Sequence, residues 1–424
     1  MKKLVLISLN ELNFDALSEY NLDRYPNLKY LVKNFKYTNS ENEYNLLEPW
    51  IQWLTIYSGL SAKEHNVFRL GDVNSKKINT IFNKIENLGL KVGAIGPMNL
   101  SNNLKNPEFF IPDPWTMSST DGSYASNLIS STISKIVNTN ATNKIGITDL
   151  VNLFKIFLTF FRFKNFFYYL ELLLKALTKK YFKAIFLDVL LNDIFYKLNK
   201  KKKPNFSNIF FNGIAHIQHH YFFNSKINKS QIRNPDWYVG IKKDPFEDML
   251  KYYDLILSDY IGTDTKYIIA TGLTQKLYDR KKYYYRIKDY KIFLNQFSIK
   301  FNKVSPRMSR DFLIEFNSKE DAADGKKILS KIKVKDDELL FNEIDNRGDS
   351  LFVTLTYPKE IFKETLITNG NIDVNNFYYN VNLVAIKNGM HDQKGFISTN
   401  SSINFENNIN IKDICKKIEQ YYDK

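Results

Sequence analysis

The sequence predicts an α/β protein built on a doubly wound, mainly parallel sheet, with a helical insertion and a small β-α-β-β subdomain. Short apolar runs recur along the chain, and the first, Leu4–Leu9, is interrupted only by Ser8. Strands buried on both faces read this way. Helical patterns with recognisable starts and stops separate the runs, which is the alternation that builds a parallel sheet. Two stretches break the alternation, one almost wholly helical and one rich in strands.

After Leu4–Leu9, helices are predicted at Phe14–Tyr20 and Pro26–Phe35, the second opened by a proline in its first turn. Leu46–Gly59 reads as a helix with Pro49 in a first turn and Gly59 as its stop. Ile78–Leu88 is amphipathic, Gly89 ends it, and Lys91–Ile95 is the next strand. From Asp149 to Lys203, Leu150, Leu153, Phe154, Phe157, Leu158 and Phe161 recur at helical spacing among Lys155, Arg162 and Lys164. Asn165–Thr178 and Tyr181–Leu198 continue as helices. The alternation resumes with the strand Asn208–Phe211, a helix over Pro245–Tyr260 and the strand Tyr267–Ala270. Phe312–Phe316, Lys319–Ile332, Glu338–Ile344 and Leu351–Leu355 then form the β-α-β-β run. Asn382–Ile386 is read as a return to the main sheet and Ile411–Tyr422 as a closing helix. The expected organisation is core over 1–148, insertion over 149–203, core over 204–304, subdomain over 305–358 and core over 359–424.

Composition narrows the partners. The 424 residues carry 60 Lys+Arg against 45 Asp+Glu, a net charge of +15 with His neutral, at an ordinary 44% hydrophobic and 25% charged content. Disorder is excluded, and a single Cys excludes a disulfide framework and a cysteine-based zinc module. The abundant Lys, Asn, Ile, Phe and Tyr share A/T-rich codons, so the charge argues only weakly for nucleic acid, and no nucleic-acid module is recognised. The charge remains compatible with an anionic substrate or a membrane surface. The first nine residues resemble a signal peptide, but the apolar stretch is short and no small-residue cleavage site follows, so they read as a strand. No apolar window is long enough to span a bilayer, and a cytoplasmic placement is expected, peripheral to the inner membrane face where the insertion meets it. Two readings of that insertion stand: a cap packed on the ligand crevice with a solvated basic face, or a peripheral contact with an anionic membrane.

The five histidines carry the chemistry. His216, His219 and His220 follow one strand and His391 follows another, and the carboxyl ends of strands in an open α/β sheet form the crevice where ligands bind. Imidazoles brought together there hold a divalent metal, whereas any one of them alone can equally pack in the core. Glu11 follows the first strand at the same edge. Glu48, ahead of Pro49, is a ligand, a base or a helix cap. Arg286, Arg307 and Arg310 supply forked donors suited to phosphate, sulfate or carboxylate, or are solvated surface residues.

These residues resemble a known family. Leu4-Val-Leu-Ile-Ser-Leu-Asn10 with Pro26-Asn-Leu-Lys-Tyr-Leu, and Trp53-Leu-Thr-Ile-Tyr-Ser-Gly59 running on to His65, are similar to the opening of the alkaline phosphatase superfamily in its type I phosphodiesterase/nucleotide pyrophosphatase branch. Asn212-Gly-Ile-Ala-His216 resembles that branch's Asp-x-x-x-His metal motif, and His391-Asp-Gln-Lys-Gly395 its His…Gly element. The resemblance implies a two-metal hydrolase of phosphate or sulfate esters or phosphodiesters with a Thr or Ser nucleophile.

This sequence departs from that pattern at several points. Asn10 stands where the first Asp belongs, Ala270-Thr-Gly-Leu273 where Ser-Asp-His-Gly belongs, and Asn212 where the second metal's Asp belongs. Glu48-Pro49 opens the helix that should present the nucleophile, and Thr55 falls inside that helix. What the resemblance then implies is a remodelled site for one divalent ion, zinc, manganese or magnesium, with His216 and His391, Asn212, Asn10 and His219 or His220 as ligands. Glu48 or Glu11 would be the base or a replacement ligand, Thr55 a residual nucleophile candidate, and Arg307 or Arg310 the anion clamp. The substrate class includes glycan or lipid-linked polysaccharide precursors. The alternative is a catalytically inactive relative that binds a glycan or anionic ligand.

Overall fold

A computed structural model describes residues 2–40, 43–139, 146–240, 242–307 and 310–423. The chain divides into two compact units, Met1–Leu277 with Gly389–Lys424, and Tyr278–Asn388. In the first unit the strands β1 (Leu4–Leu9), β2 (Lys36–Asn39), β3 (Val92–Ile95), β4 (Phe109–Ile111), β5 (Phe206–Phe211) and β6 (Tyr267–Ala270) are interleaved with helices. These are α1 (Phe14–Leu17), α2 (Pro26–Lys33), α3 (Pro49–Ser58), α4 (Ala62–His65), α5 (Ile81–Asn87), α6 (Tyr124–Thr139), α7 (Ile147–Phe160), α8 (Phe166–Thr178), α9 (Phe182–Lys202), α10 (Gly213–Tyr221) and α11 (Pro245–Leu257). The long strand β7 (Thr274–Ile287) leads into the second unit. That unit holds α12 (Tyr290–Gln296), β8 (Lys303–Pro306), β9 (Asp311–Glu315), α13 (Lys319–Leu329), β10 (Lys333–Val334), β11 (Glu343–Asn346), β12 (Ser350–Thr354), β13 (Ile367–Thr368) and β14 (Asp373–Val374). The strand β15 (Val381–Asp392) brings the chain back, and β16 (Lys394–Thr399), β17 (Ile409–Asn410) and α14 (Asp413–Asp423) close it.

The main sheet is the doubly wound, mainly parallel one that the apolar runs predict. Its order is β17-β2-β16-β6-β1-β5-β3-β4, with β6, β1, β5, β3 and β4 parallel and β16 antiparallel to both neighbours. Every residue of β1 and β5 is buried, because helices cover both faces. Val5, Ile7 and Leu9 of β1 pack into the layer that includes Phe14, Leu28, Ile185, Ile214 and Tyr253, whereas Leu4 and Leu6 pack with Trp53, Ile56, Phe82 and Ile414. Truncating Ile7 or Leu9 to Ala therefore costs about 2–5 kcal/mol. The register Leu9↔Phe211 and Ser8↔Ala270 ends three adjacent parallel strands together, so Asn10, Asn212 and Thr271 emerge side by side.

The structure differs from the sequence expectation in three places. The helical block begins at α6, before residue 149; its Ser- and Thr-rich stretch buries only a few apolar residues such as Ile129 and Ile133, which leaves a weak apolar period. Asn382–Ile386 does not enter the main sheet: it lies in β15, which pairs with β7 in a two-stranded ribbon. The main-sheet position belongs to β16, whose Gly395–Ser398 are all buried, whereas β15 is exposed at several positions and suits a ribbon. Finally, the second unit runs from Tyr278 to Asn388 rather than over 305–358. Its β-α-β-β element is present in the antiparallel order β11-β12-β9-β8, and a core of Phe293, Phe312, Phe341 and Phe377 extends it to α12 and to the segment beyond β14.

Candidate metal centre

The site is built where β1, β5 and β6 end. The backbone N–H of Asn10 donates to Phe211 O at 3.1 Å and that of Glu11 to Thr271 O at 3.1 Å, so both residues stay tied to the flanking strands. Glu11 then turns the chain with φ at 62°, a left-handed conformation that a residue other than glycine adopts at a cost, and its side chain is buried. The helix α10 is fixed from below by Asp188 of α9, which accepts the Gly213 N–H at 2.8 Å and the Tyr253 hydroxyl. A Cβ at position 213 would lie 2.8 Å from both the Asp188 carboxylate and the Tyr253 oxygen, so glycine is needed there. From above, Gln218 Nε2 donates to Glu11 O at 2.7 Å and Asn13 N–H donates to Gln218 Oε1 at 3.1 Å. Gly389, two residues before His391, lets the end of β15 approach just as closely. A Cβ there would run into Gln275 Oε1 and lie 2.9 Å from the Gln218 carbonyl.

These contacts bring Glu11, His219 and His391 together. His219 Nε2 is 3.0 Å and His391 Nε2 3.3 Å from Glu11 Oε2, and one ligand atom from each of the three lies within 4.8 Å of the others. Burial alone would raise the Glu11 pKa, but the His219 and His391 imidazoles outweigh it and hold the carboxyl well below the usual range. Asn10 Nδ2 donates to Glu11 Oε1 at 3.0 Å, and Gln275 Nε2 donates to Glu11 Oε2. On the far side of His391, Glu48 Oε2 lies 3.6 Å from Nδ1. Glu48 occupies the N-cap position of α3, yet its side chain makes no cap hydrogen bond.

The other candidates make the following contacts. His216 packs on His220 with ring centroids 4.5 Å apart, outside the three-residue cluster. Burial, then the neighbouring His219, lowers His216 to about 4, and burial lowers His220 as well. Asn10 and Asn212 support the cluster: Asn10 Nδ2 also donates to Asn212 Oδ1 at 2.8 Å, and Asn10 Oδ1 accepts from Trp53 Nε1 at 2.8 Å. Each asparagine oxygen thus already accepts one hydrogen bond and keeps a second lone pair. Thr55 is buried within α3, and its hydroxyl meets His65 Nε2 at 3.3 Å. Because His65 Nδ1 accepts the Val67 N–H, Nε2 carries the proton and donates to Thr55. Arg286, Arg307 and Arg310 belong to the second unit. Arg286 donates to Tyr290 and to the Arg307 carbonyl, Arg310 donates to the Leu355 carbonyl and lies over the Tyr284 ring, and Arg307 N–H donates to Asp311 O.

Sequence reasoning passed over Gln218 and Gln275, which lock α10 and the Glu11 loop together. Their polarity in an apolar context, beside the histidine cluster and just past a strand end, is the signal that marks them.

The fold and site define a doubly wound α/β protein with a carboxylate–imidazole centre at the carboxyl edge of its parallel strands. No protein-family model matches the chain, and no curated protein sequence matches it. Among solved structures it is similar to human ectonucleotide pyrophosphatase/phosphodiesterase 5, at 10% identity over 100% of this chain and 95% of that one, with a TM-score of 0.44. It is similar to phosphonoacetate hydrolase from Sinorhizobium meliloti at 11% identity over 99% of this chain and 95% of that one, with a TM-score of 0.44. For a mutant of the alkaline phosphatase PafA the identity is 12% over 99% of this chain and 95% of that one, with a TM-score of 0.41.

Proposed function

We infer that the chain is an alkaline-phosphatase-like hydrolase of a phosphate ester, sulfate ester or phosphodiester, working with one divalent ion on Glu11, His219 and His391. The observation that carries this is the convergence of those three side chains, with ligand atoms within 4.8 Å of one another, on the edge where the resemblance puts a metal site. One carboxylate and two imidazole nitrogens are a donor set suited to zinc or manganese. Glu11 replaces Asn212 and His219 replaces His216 in the ligand set that the resemblance alone implies. The bound ion would supply Lewis-acid polarisation of the ester.

The chain's own residues do the rest. The Glu48 carboxylate, 3.6 Å from Nδ1 of His391, favours a proton on that nitrogen through its charge, which frees Nε2 on the Glu11 side for the ion. Its side chain is 33% exposed, so solvent reaches it and it is also the base of this reading. Asn10 and Gln275 orient the Glu11 carboxylate. With the Thr55 hydroxyl on His65, attack is by water rather than by a threonine.

A second reading, a binding protein without turnover, is favoured by one observation: Asn10 and Asn212, at two carboxylate positions of the family, are hydrogen-bonded to each other. Elemental analysis of the purified protein and of a His219→Ala/His391→Ala variant, with aryl phosphodiester, phosphomonoester and sulfate-ester assays, separates the readings. About one ion per chain together with turnover, both lost in the variant, supports the hydrolase. An ion without turnover on any ester supports the binder. No ion after supply of zinc, manganese and magnesium overturns the metal centre.

A further inference from the structure

Helices α7 and α8 are apolar on two sides. Their inner faces, including Ile156, Phe160, Tyr169 and Leu172, are buried in the core. Their outer faces are apolar as well: of the 26 exposed large apolar side chains among the described residues, twelve fall between Ile147 and Leu177. Phe154 is 59% exposed, Leu158 54%, Phe163 82%, Phe167 77%, Leu174 60% and Leu177 82%. Ile147, Leu150, Val151, Phe154 and Leu158 follow the helical period on α7, and Phe166, Phe167, Leu170, Leu174 and Leu177 follow it on α8, so each set forms one stripe. A helix that is apolar all round is stable when both sides are covered, and a soluble monomer rarely leaves such a patch to water.

Charge identifies what covers it. Lys155, Lys180 and Lys183 are exposed within or just beyond the stripes, and Lys164 among them is paired with Asp259 at 2.7 Å. The two carboxylates of the stretch are already neutralised, Asp149 by Lys135 at 2.8 Å and Glu171 by Lys175 at 2.8 Å. A second copy of the chain would set these lysines against their own counterparts, and protein interfaces are depleted in lysine. A bilayer with anionic headgroups takes both features, phenylalanine and leucine into the acyl boundary and lysine at the phosphates. At 14 and 13 residues the helices lie along such a surface, and among the described residues no helix is long and apolar enough to cross a membrane.

We propose that the outer face of α7 and α8 is a peripheral docking surface for an anionic lipid bilayer. It stands independently of the metal centre.

The test is flotation of the full-length protein, with chelator present, on phosphatidylcholine vesicles with and without phosphatidylglycerol. Binding is expected to the anionic vesicles and to weaken with salt. It should fall at least about tenfold in Phe163→Glu/Phe167→Glu/Leu177→Glu, and about fivefold for each charge removed in Lys155→Ala/Lys180→Ala. All these side chains are exposed, so the unfolding midpoints should match the wild type. Should the triple variant not fold, the lysine variant decides alone. Binding untouched by the substitutions, or no binding to either vesicle, overturns the proposal. A dimer in sedimentation that the triple variant dissociates, without vesicle binding, overturns it in favour of a second copy.

Discussion

Replacing Asp188 with Asn tests how the site helix is held. The carboxyl is buried on α9, accepts the Gly213 N–H at 2.8 Å, and is pushed up to about 7 from an ordinary 3.8 by that burial, against the hydrogen bonds from Tyr253, Gly213 and Asn212. Asparagine keeps the size and one acceptor oxygen but does not titrate. Between 3.8 and about 7 the folded protein keeps a proton that the unfolded chain has released. Wild-type stability therefore falls through this group as pH rises across that window, and the contribution is constant above it. Each pH step in the window is worth about 1.4 kcal/mol, so from about pH 5 to about pH 8 the wild type should lose about 3 kcal/mol relative to Asp188→Asn. Urea unfolding of both proteins at several pH values, with the difference taken at each, isolates the group from every other titration. A difference that stays flat across the window, or grows in the opposite sense, would refute an Asp188 held protonated beneath α10.

The remaining predictions concern the centre and its supports. Glu48→Gln should lower metal affinity about 10–100-fold by releasing the His391 ring, read by competition with a chromogenic chelator, while leaving the unfolding midpoint unchanged. Gly389→Ala should cost about 1–3 kcal/mol in urea unfolding and weaken metal binding, because the new methyl meets the Gln218 backbone as well as the Gln275 side chain. His65 is lowered to about 4 by burial and, secondarily, by Lys76, so it is neutral at pH 7. His65→Ala should leave metal content intact and destabilise by about 1–3 kcal/mol through the lost Thr55 and Val67 contacts.

Much of the core was legible because its determinants are local. Leu4–Leu9 and Tyr267–Ala270 read as buried strands from composition alone, and prolines at 26, 49 and 245 open α2, α3 and α11 as their fixed φ allows. The end of β1 pointed to Glu11, whereas His391 lies inside the ribbon strand β15 rather than after a strand of the main sheet. Which α10 histidine joins them was not legible. Helical geometry groups His216 with His220 and turns His219 about 60° from the first and about 100° from the second, but the rotation of the helix about its axis is set by Asp188 at its start and by Gln218 on the Glu11 carbonyl, contacts 25 and 207 residues distant in sequence. The same holds for Asn382–Ile386, whose apolar content suits either the main sheet or a ribbon and whose partner is chosen by tertiary pairing.

The placement of β16 has a consequence for how the chain is made. This strand comes long after β2 and β6 in the chain, yet it sits between them in the sheet, hydrogen-bonded to β2 on one side and to β6 on the other. A chain still emerging from the ribosome thus carries two strands with open edges until residues 394–399 are free. The cluster likewise draws on positions 11, 219 and 391, so it closes only once residue 391 is in place. Such long-range pairing is slow, and unpaired edges invite association with other chains. The edges of β2 and β6 that β16 covers are therefore open over the whole stretch of chain between β6 and β16, and association with other chains competes with folding until that strand joins.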